Sequence, residues 1–202
     1  MKKIGLIFLL VIVVIAGFLA IRFFLGGPED AWLCVDGEWV KHGNPSAPMP
    51  DSGCGQDITS FEECAAAGNP IMESYPRQCR ANNKTFAEYI GNELEKTDLI
   101  QIQNPRPNQL IESPLTINGQ ARGNWYFEAT FPVVLQDANG NVLAQHYATA
   151  QGEWMTVDFV PFSIELTFTK PQTKTGLLLL QKDNPSGLPE NDDQLEVPVV
   201  FE

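Results

Sequence analysis

From Asp98 onward, apolar and polar residues alternate with a period of two, and that pattern leaves little but a β fold open to this half of the chain. Leu115, Ile117, Gly119 and Ala121 alternate with Thr116, Asn118 and Gln120. Trp125, Phe127, Ala129, Phe131, Val133 and Leu135 share one parity and give the clearest inward face. Met155, Val157 and Phe159 alternate, as do Phe162, Ile164, Leu166 and Phe168 after Pro161. Leu177 to Leu180 is a short apolar run that suits a central strand buried on both faces. Leu195, Val197, Val199 and Phe201 close the pattern, and Pro198 predicts an edge position for that last strand.

Turn residues punctuate these runs. Leu99 to Gln103 reads as a first strand, ended by Asn104-Pro105-Arg106-Pro107. Asp137-Ala138-Asn139-Gly140-Asn141 is a hairpin loop, with Gly140 available for a left-handed backbone. Seven or eight short strands at a spacing of about ten residues predict an immunoglobulin-like β-sandwich over residues 98–202, so the chain is mainly β. The segment holds no cysteine. Packing alone must therefore close it, with Trp125 or Trp154 at its centre.

The other end of the chain is built differently. Ile4 to Ile21 carries no charged side chain, and Arg22 is followed by Phe23, Phe24 and Leu25. A helix over residues 4–25 would be roughly 33 Å long, enough to span a hydrocarbon core of about 30 Å. Neither Phe18-Leu19-Ala20 nor Ala16-Gly17-Phe18 makes a good signal-peptidase site. The expectation is an uncleaved signal anchor. Lys2 and Lys3 keep residues 1–3 in the cytoplasm, and Arg22 snorkels at the far interface. Residues 26–202 are then extracytoplasmic, on a single-pass cell-membrane protein.

Between anchor and sandwich, residues 26–97 read as a loop-rich spacer. Asp36-Gly37 between two strand-like runs signals a tight hairpin. His42 to Gly55, with Pro45, Pro48 and Pro50, reads as an extended loop. Thr59-Ser60-Phe61-Glu62-Glu63 holds two overlapping capping boxes, which start a short helix that stops at Gly68. Asn82-Asn83 marks a turn, and Phe86 to Lys96 reads as a connecting helix with Glu93 and Glu95 exposed. Cys34, Cys54, Cys64 and Cys79 have no C-x-x-C spacing, and neither His42 nor His146 sits at zinc-finger distance. In an exported chain the four predict disulfides, with nearest-neighbour pairing Cys34–Cys54 and Cys64–Cys79 favoured among three possibilities.

Charge narrows the function. The chain has 13 Lys and Arg against 25 Asp and Glu. Three of the basic residues lie in the first 25 positions, so residues 26–202 carry a net charge of −15. Nucleic acid is excluded as a partner, because no basic face exists to replace phosphate counterions. Glu112, Glu128, Glu153, Asp158 and Glu165 supply carboxylates, but nothing in their spacing sets two across a cleft as glycoside hydrolysis requires. His146 has no nucleophile motif near it. No catalytic residue and no cofactor are expected. Glu190, Asp192 and Asp193 form an acidic loop that is a weak Ca²⁺ candidate, without EF-hand spacing. Tyr126, Tyr147 and Trp154 are the candidate binding residues, as exposed aromatics that suit glycan or protein contacts.

Three resemblances bear on these readings. Cys79-Arg-Ala-Asn-Asn-Lys-Thr-Phe resembles the stretch after a mid-domain cysteine in Kazal-type protease inhibitors, a family that needs six cysteines where this chain has four. Asn83-Lys84-Thr85 matches a glycosylation acceptor. Residues from about 99 to 201 resemble the Gmad2 immunoglobulin-like domain associated with bacterial spore germination. The resemblance rests on IQNPRPNQLIESPLTINGQARGNWYFEATFPVVLQDANGNVLAQ, GEWMTVDFVPFSIELTF and DNPSGLPENDDQLEVPVVF. It implies an extracytoplasmic bacterial domain with a binding or structural role and no established catalytic residues. CVDGEWVKHGNPSAPMP and NPIMESYPRQCR look like short Cys-bearing modules on bacterial envelope proteins. The expected role is a non-catalytic binding or adaptor module whose partner is an envelope protein or cell-wall glycan. The alternative is an envelope enzyme or protease inhibitor.

Overall fold

The computed structural model describes residues 30–35, 37–50 and 58–202. The expected anchor over 4–25, the cytoplasmic tail, Asp36 and Cys54 lie outside the described residues. Among the described residues no helix is long and apolar enough to cross a membrane. The chain divides into two units between Glu88 and Tyr89.

The first unit is small and loop-rich. Strands β1 (Ala31–Val35) and β2 (Glu38–His42) form the expected hairpin, with Val35 opposite Glu38 and Gly37 at φ +83°. Helix α1 (Phe61–Ala66) starts at Ser60, whose side chain accepts from Glu63 N–H at 3.1 Å. Glu63 answers by accepting from the Thr59 backbone N–H at 2.7 Å, which draws its carboxyl below the usual range. Gly68 follows the helix at φ +78°. A three-stranded sheet runs β3 (Ile71–Met72), β4 (Gln78–Ala81) and β5 (Lys84–Ala87). Asn82 and Asn83 both have positive φ, so β4 and β5 form a tight hairpin. The Kazal-like stretch is therefore two paired strands and their turn. Phe61, Cys64, Cys79 and Ala81 make the core, and Cys64 is bonded to Cys79. Cys34 is also disulfide-bonded.

The helix expected over Phe86 to Lys96 is replaced by β5 and a single turn, α2 (Glu93–Lys96), after Gly91 at φ +74°. Glu93 is buried, only 8% exposed, because the Arg106 guanidinium donates to both of its oxygens at 2.6 and 2.9 Å. Arg106 donates as well to Ile102 C=O. Lys96 pairs with Asp193 at 2.6 Å, and Asn92 bridges to Gln194 and Glu196. These bonds tie residues 89–97 into the second unit, ahead of the 97/98 boundary that the spacing suggests.

The second unit is a β-sandwich made by folding one eight-stranded sheet. One layer is β6 (Ile100–Asn104), β8 (Leu115–Arg122) and β11 (Phe159–Leu166). The other is β10 (Val142–Ala150), β9 (Thr130–Asp137), β12 (Thr175–Gln181), β13 (Gln194–Phe201) and β7 (Gln109–Ile111). The layers join where β10 meets β11, at Thr149–Ser163 and Ala150–Phe162 only. Phe131 on β9 meets Phe162 on β11 edge-on at 5.0 Å, although β10 lies between them in the sheet order. The core thus sits between the folded halves, around Trp125, Phe131, Phe162, Leu178 and Leu195.

Most expected strands appear, with four differences. Pro161 lies inside β11, opposite Gln120. The inward row from Trp125 to Leu135 is a regular strand only from Phe131, although Trp125 is buried as well. Residues 123–125 are a 3₁₀ turn, and Glu128 and Ala129 take positive φ of 50° and 63°. Phe127 is exposed as a result. Met155 and Val157 belong to a bend rather than a strand and face outward. Pro198 is next to the edge, not on it. Its carbonyl accepts from Asn108 N–H, and a strand residue's N–H points the same way as its C=O. The missing N–H therefore falls just before β7 begins, at Gln109 opposite Val199.

Candidate functional site

The loop from Gln151 to Asp158 joins β10 to β11 and carries the most exposed apolar side chains of the described residues. Met155 is 74% exposed and Val157 83%. Burying such side chains against a partner is worth about 1.5–3 kcal/mol each, which is a reason for exposed apolar tips to mark contact sites. The scaffold holds this loop firmly. Arg122 at the end of β8 donates to Val157 C=O at 3.0 Å and to Asp98 C=O at 3.0 Å, and its guanidinium lies 4.1 Å above the Phe159 ring. Asp158 N–H donates to Thr156 Oγ1, and Met155 N–H to the Glu153 carboxylate. Gly123 admits the loop. A Cβ there would stand 2.0 Å from Thr156 O and 2.2 Å from Trp154 O. Only glycine lets the two backbones come so close.

Trp154 is half-buried against the core and lines a shallow depression with Gly123, Asn124 and Thr156. Its indole supports the loop while Met155 and Val157 form the tip. Glu153 and Asp158, both exposed, stand at either end. The result is an apolar knob rimmed by carboxylates on a fixed backbone.

The three aromatics expected to bind do not converge. Tyr126 is only 4% exposed, which corrects its reading as a surface residue. Its hydroxyl donates to Val160 C=O at 2.8 Å and its ring meets Phe131 at 5.2 Å. Burial pushes that phenol well above the usual range. Tyr147 is exposed on β10. Neither lines the depression beside Trp154.

A second concavity, a polar cleft of about 690 Å³, opens beside Pro132, Gln181, Asp183, Asn184, Asp192 and Gln194. Burial lifts the Asp183 carboxyl above its usual range, and Glu128 adds to the rise. Two of the expected Ca²⁺ ligands lie here already engaged. Asp193 pairs with Lys96, and Asp192 accepts from Asn184 Nδ2 at 2.7 Å. Glu190 sits in a separate 3₁₀ turn, Pro189–Asn191. Among the described residues, no group of three His, Cys, Asp or Glu side chains is placed to hold a metal ion. Glu112, Glu128, Glu153, Asp158 and Glu165 are all exposed, as is His146.

Sequence reasoning singled out Trp154 and read Met155 and Val157 as strand positions, whereas both stand exposed on the loop. The signal for them is Gly152-Glu153 before and Asp158 after, polar stops that enclose too few residues for a strand.

The sandwich and its sequence meet a known family here. Residues 99–187 match the family model of Gmad2, the immunoglobulin-like domain of bacterial spore germination. The match ends before β13, yet Leu195, Val197 and Val199 of that strand lie in the core of the same sandwich. No curated protein and no solved structure matches the chain.

Proposed function

We propose that this chain is a single-pass, membrane-anchored module of a bacterial cell envelope that binds a partner outside the cytoplasm and performs no chemistry. The apolar run over residues 4–25, the Cys64–Cys79 disulfide and the acidic remainder of the chain support that setting. The observation that carries the binding role is the outward pair Met155 and Val157 on a loop fixed by Arg122 and Gly123. Their side chains have no hydrogen-bonding group for glycan hydroxyls. The partner is therefore a protein, with an apolar pocket and a basic rim that complements Glu153 and Asp158.

The test uses the tagged full chain purified in detergent and mixed with envelope extract. A protein retained in near-stoichiometric amount by the wild-type chain, and lost with Met155→Ser/Val157→Ser, is the expected result. The double variant keeps its melting temperature, because outward substitutions change stability by only about 0.5 kcal/mol. Equal retention by both chains, or retention of glycan alone, overturns the reading.

A further inference from the structure

The hairpin of the first unit has two unlike faces. Side chains alternate between faces along a strand, and residues directly opposite each other across an antiparallel pair share a face. The register therefore sets Trp32, Cys34, Trp39 and Lys41 on one side of β1 and β2. That side is turned to the chain's own next loop: Trp32 Nε1 donates to Ala47 C=O at 2.9 Å, and both tryptophans are half-buried. The other side carries Leu33 opposite Val40 and Val35 opposite Glu38, with Ala31 and His42 at its open end. Leu33, Val35 and Val40 are 44–47% exposed, and neither buried cluster of the described residues includes them.

Chain length says what lies near this bare side. The apolar run that precedes the hairpin ends at Leu25, six residues before Ala31. Six residues reach at most about 21 Å when fully extended. A five-residue strand is itself about 17 Å long. A hairpin on so short a tether stays within little more than its own length of the bilayer that holds the anchor. Tethering of this kind gives a high effective concentration, so a weak apolar contact is enough to form. The unit nearest the anchor is also the one richer in bare apolar side chains. Among the described residues it has seven large exposed ones, against nine in the second unit, which is more than twice as long.

We infer that the Leu33, Val35 and Val40 side of the hairpin lies on the outer leaflet of the membrane. The inference rests on the proposed anchor and adds to it a docked first unit. The lipid is zwitterionic in character. No Lys or Arg shares the apolar side, and Glu38 does, so an anionic headgroup layer would find nothing there to pair with. The contact is apolar and holds at high salt. Lipid contact leaves the Met155 loop its protein partner, so the two surfaces do different work.

The test uses the full chain reconstituted in vesicles of phosphatidylcholine and phosphatidylethanolamine, some of which carry nitroxide groups near the top of the acyl chains. No cysteine among the described residues is free, so an added thiol is selectively labelled with an environment-sensitive dye. Labels at Leu33→Cys and Val40→Cys should be blue-shifted and quenched by the nitroxide lipid several-fold more than a label at Lys41→Cys, the next residue on the opposite side. Thr116→Cys, exposed on β8, serves as the unquenched reference. Two sites on the apolar side keep one misfolded variant from deciding the result. Equal quenching at Val40 and Lys41 means proximity without docking and overturns the inference. A blue shift at Val40 that nitroxide lipid does not quench means protein covers this side, a second copy or another part of the chain, and overturns it too. Ala16→Cys, labelled in the same vesicles, tells this failure from failure of the anchor: quenching at Ala16 but not at Val40 sinks only the docking, and none at either sinks both.

Discussion

Glu93 is a carboxylate with almost no water around it, and Arg106 makes that position tenable. Desolvating a charge is costly unless a partner and hydrogen bonds replace the lost water. Here both oxygens are taken by one guanidinium, which also donates to Ile102 C=O. Arg106→Ala should cost about 2–3 kcal/mol, the range for charge-assisted hydrogen bonds to a buried group. Glu93→Gln should cost less, since a neutral amide leaves no buried charge. Urea denaturation of the two variants, followed by tryptophan emission from the sandwich, checks that order. A local reading of the sequence puts Glu93 in water because a charged residue near Glu95 and Lys96 looks like a solvated turn. Its partner lies thirteen positions on, beyond any helical or strand period. Tyr126 escapes for a related reason. It looks like an exposed aromatic beside an inward Trp125, yet two left-handed residues, Glu128 and Ala129, break the alternation and let its hydroxyl reach Val160.

At the scale of elements, legibility follows periodicity. β8 and β13 are read directly from alternating side chains, since each lies with one face on the core. β12 is read from its unbroken leucines, since consecutive residues Leu178, Leu179 and Leu180 are buried whichever face they point to. The same period misleads at Met155 and Val157, where two apolar residues alternate on a bend and both stand exposed. Alternation records only that side chains point to opposite sides. It does not record which side is filled. Hairpins are legible where turn chemistry is strong, at Gly37, at Asn82-Asn83 and at Asp137. The Asp137 carboxylate accepts from Asn139 N–H, Asn141 N–H and Asn141 Nδ2, which holds it ionised below its usual range. Among the described residues of the first unit, the buried cluster is only Phe61, Cys64, Cys79 and Ala81, and the disulfide between α1 and β4 staples it. Cys64→Ser/Cys79→Ser should remove about 3 kcal/mol, the chain-entropy value for a fifteen-residue loop. Hydrogen exchange on the full chain would show protection lost over residues 58–88 and kept in the strands of the sandwich.

For the whole molecule, the uneven distribution of charge and apolarity is the main guide. Nearly all the uninterrupted apolar sequence precedes the first carboxylate, Glu29. The proposed topology makes a direct prediction. The full chain should stay in the membrane pellet through an alkaline carbonate wash, and protease added outside cells with an exposed membrane should remove everything from about residue 26. A soluble chain after the wash, or full protection from protease, contradicts it. The same topology places the Met155 tip in an oxidising compartment. A thioether that stands almost fully in solvent is readily converted to its sulfoxide, which is polar and chiral, and reductases must reach it for repair. The knob proposed to bind is thus also where peroxide would make the loop wet. Binding through Met155 would fade with oxidative age while the sandwich beneath it stayed folded.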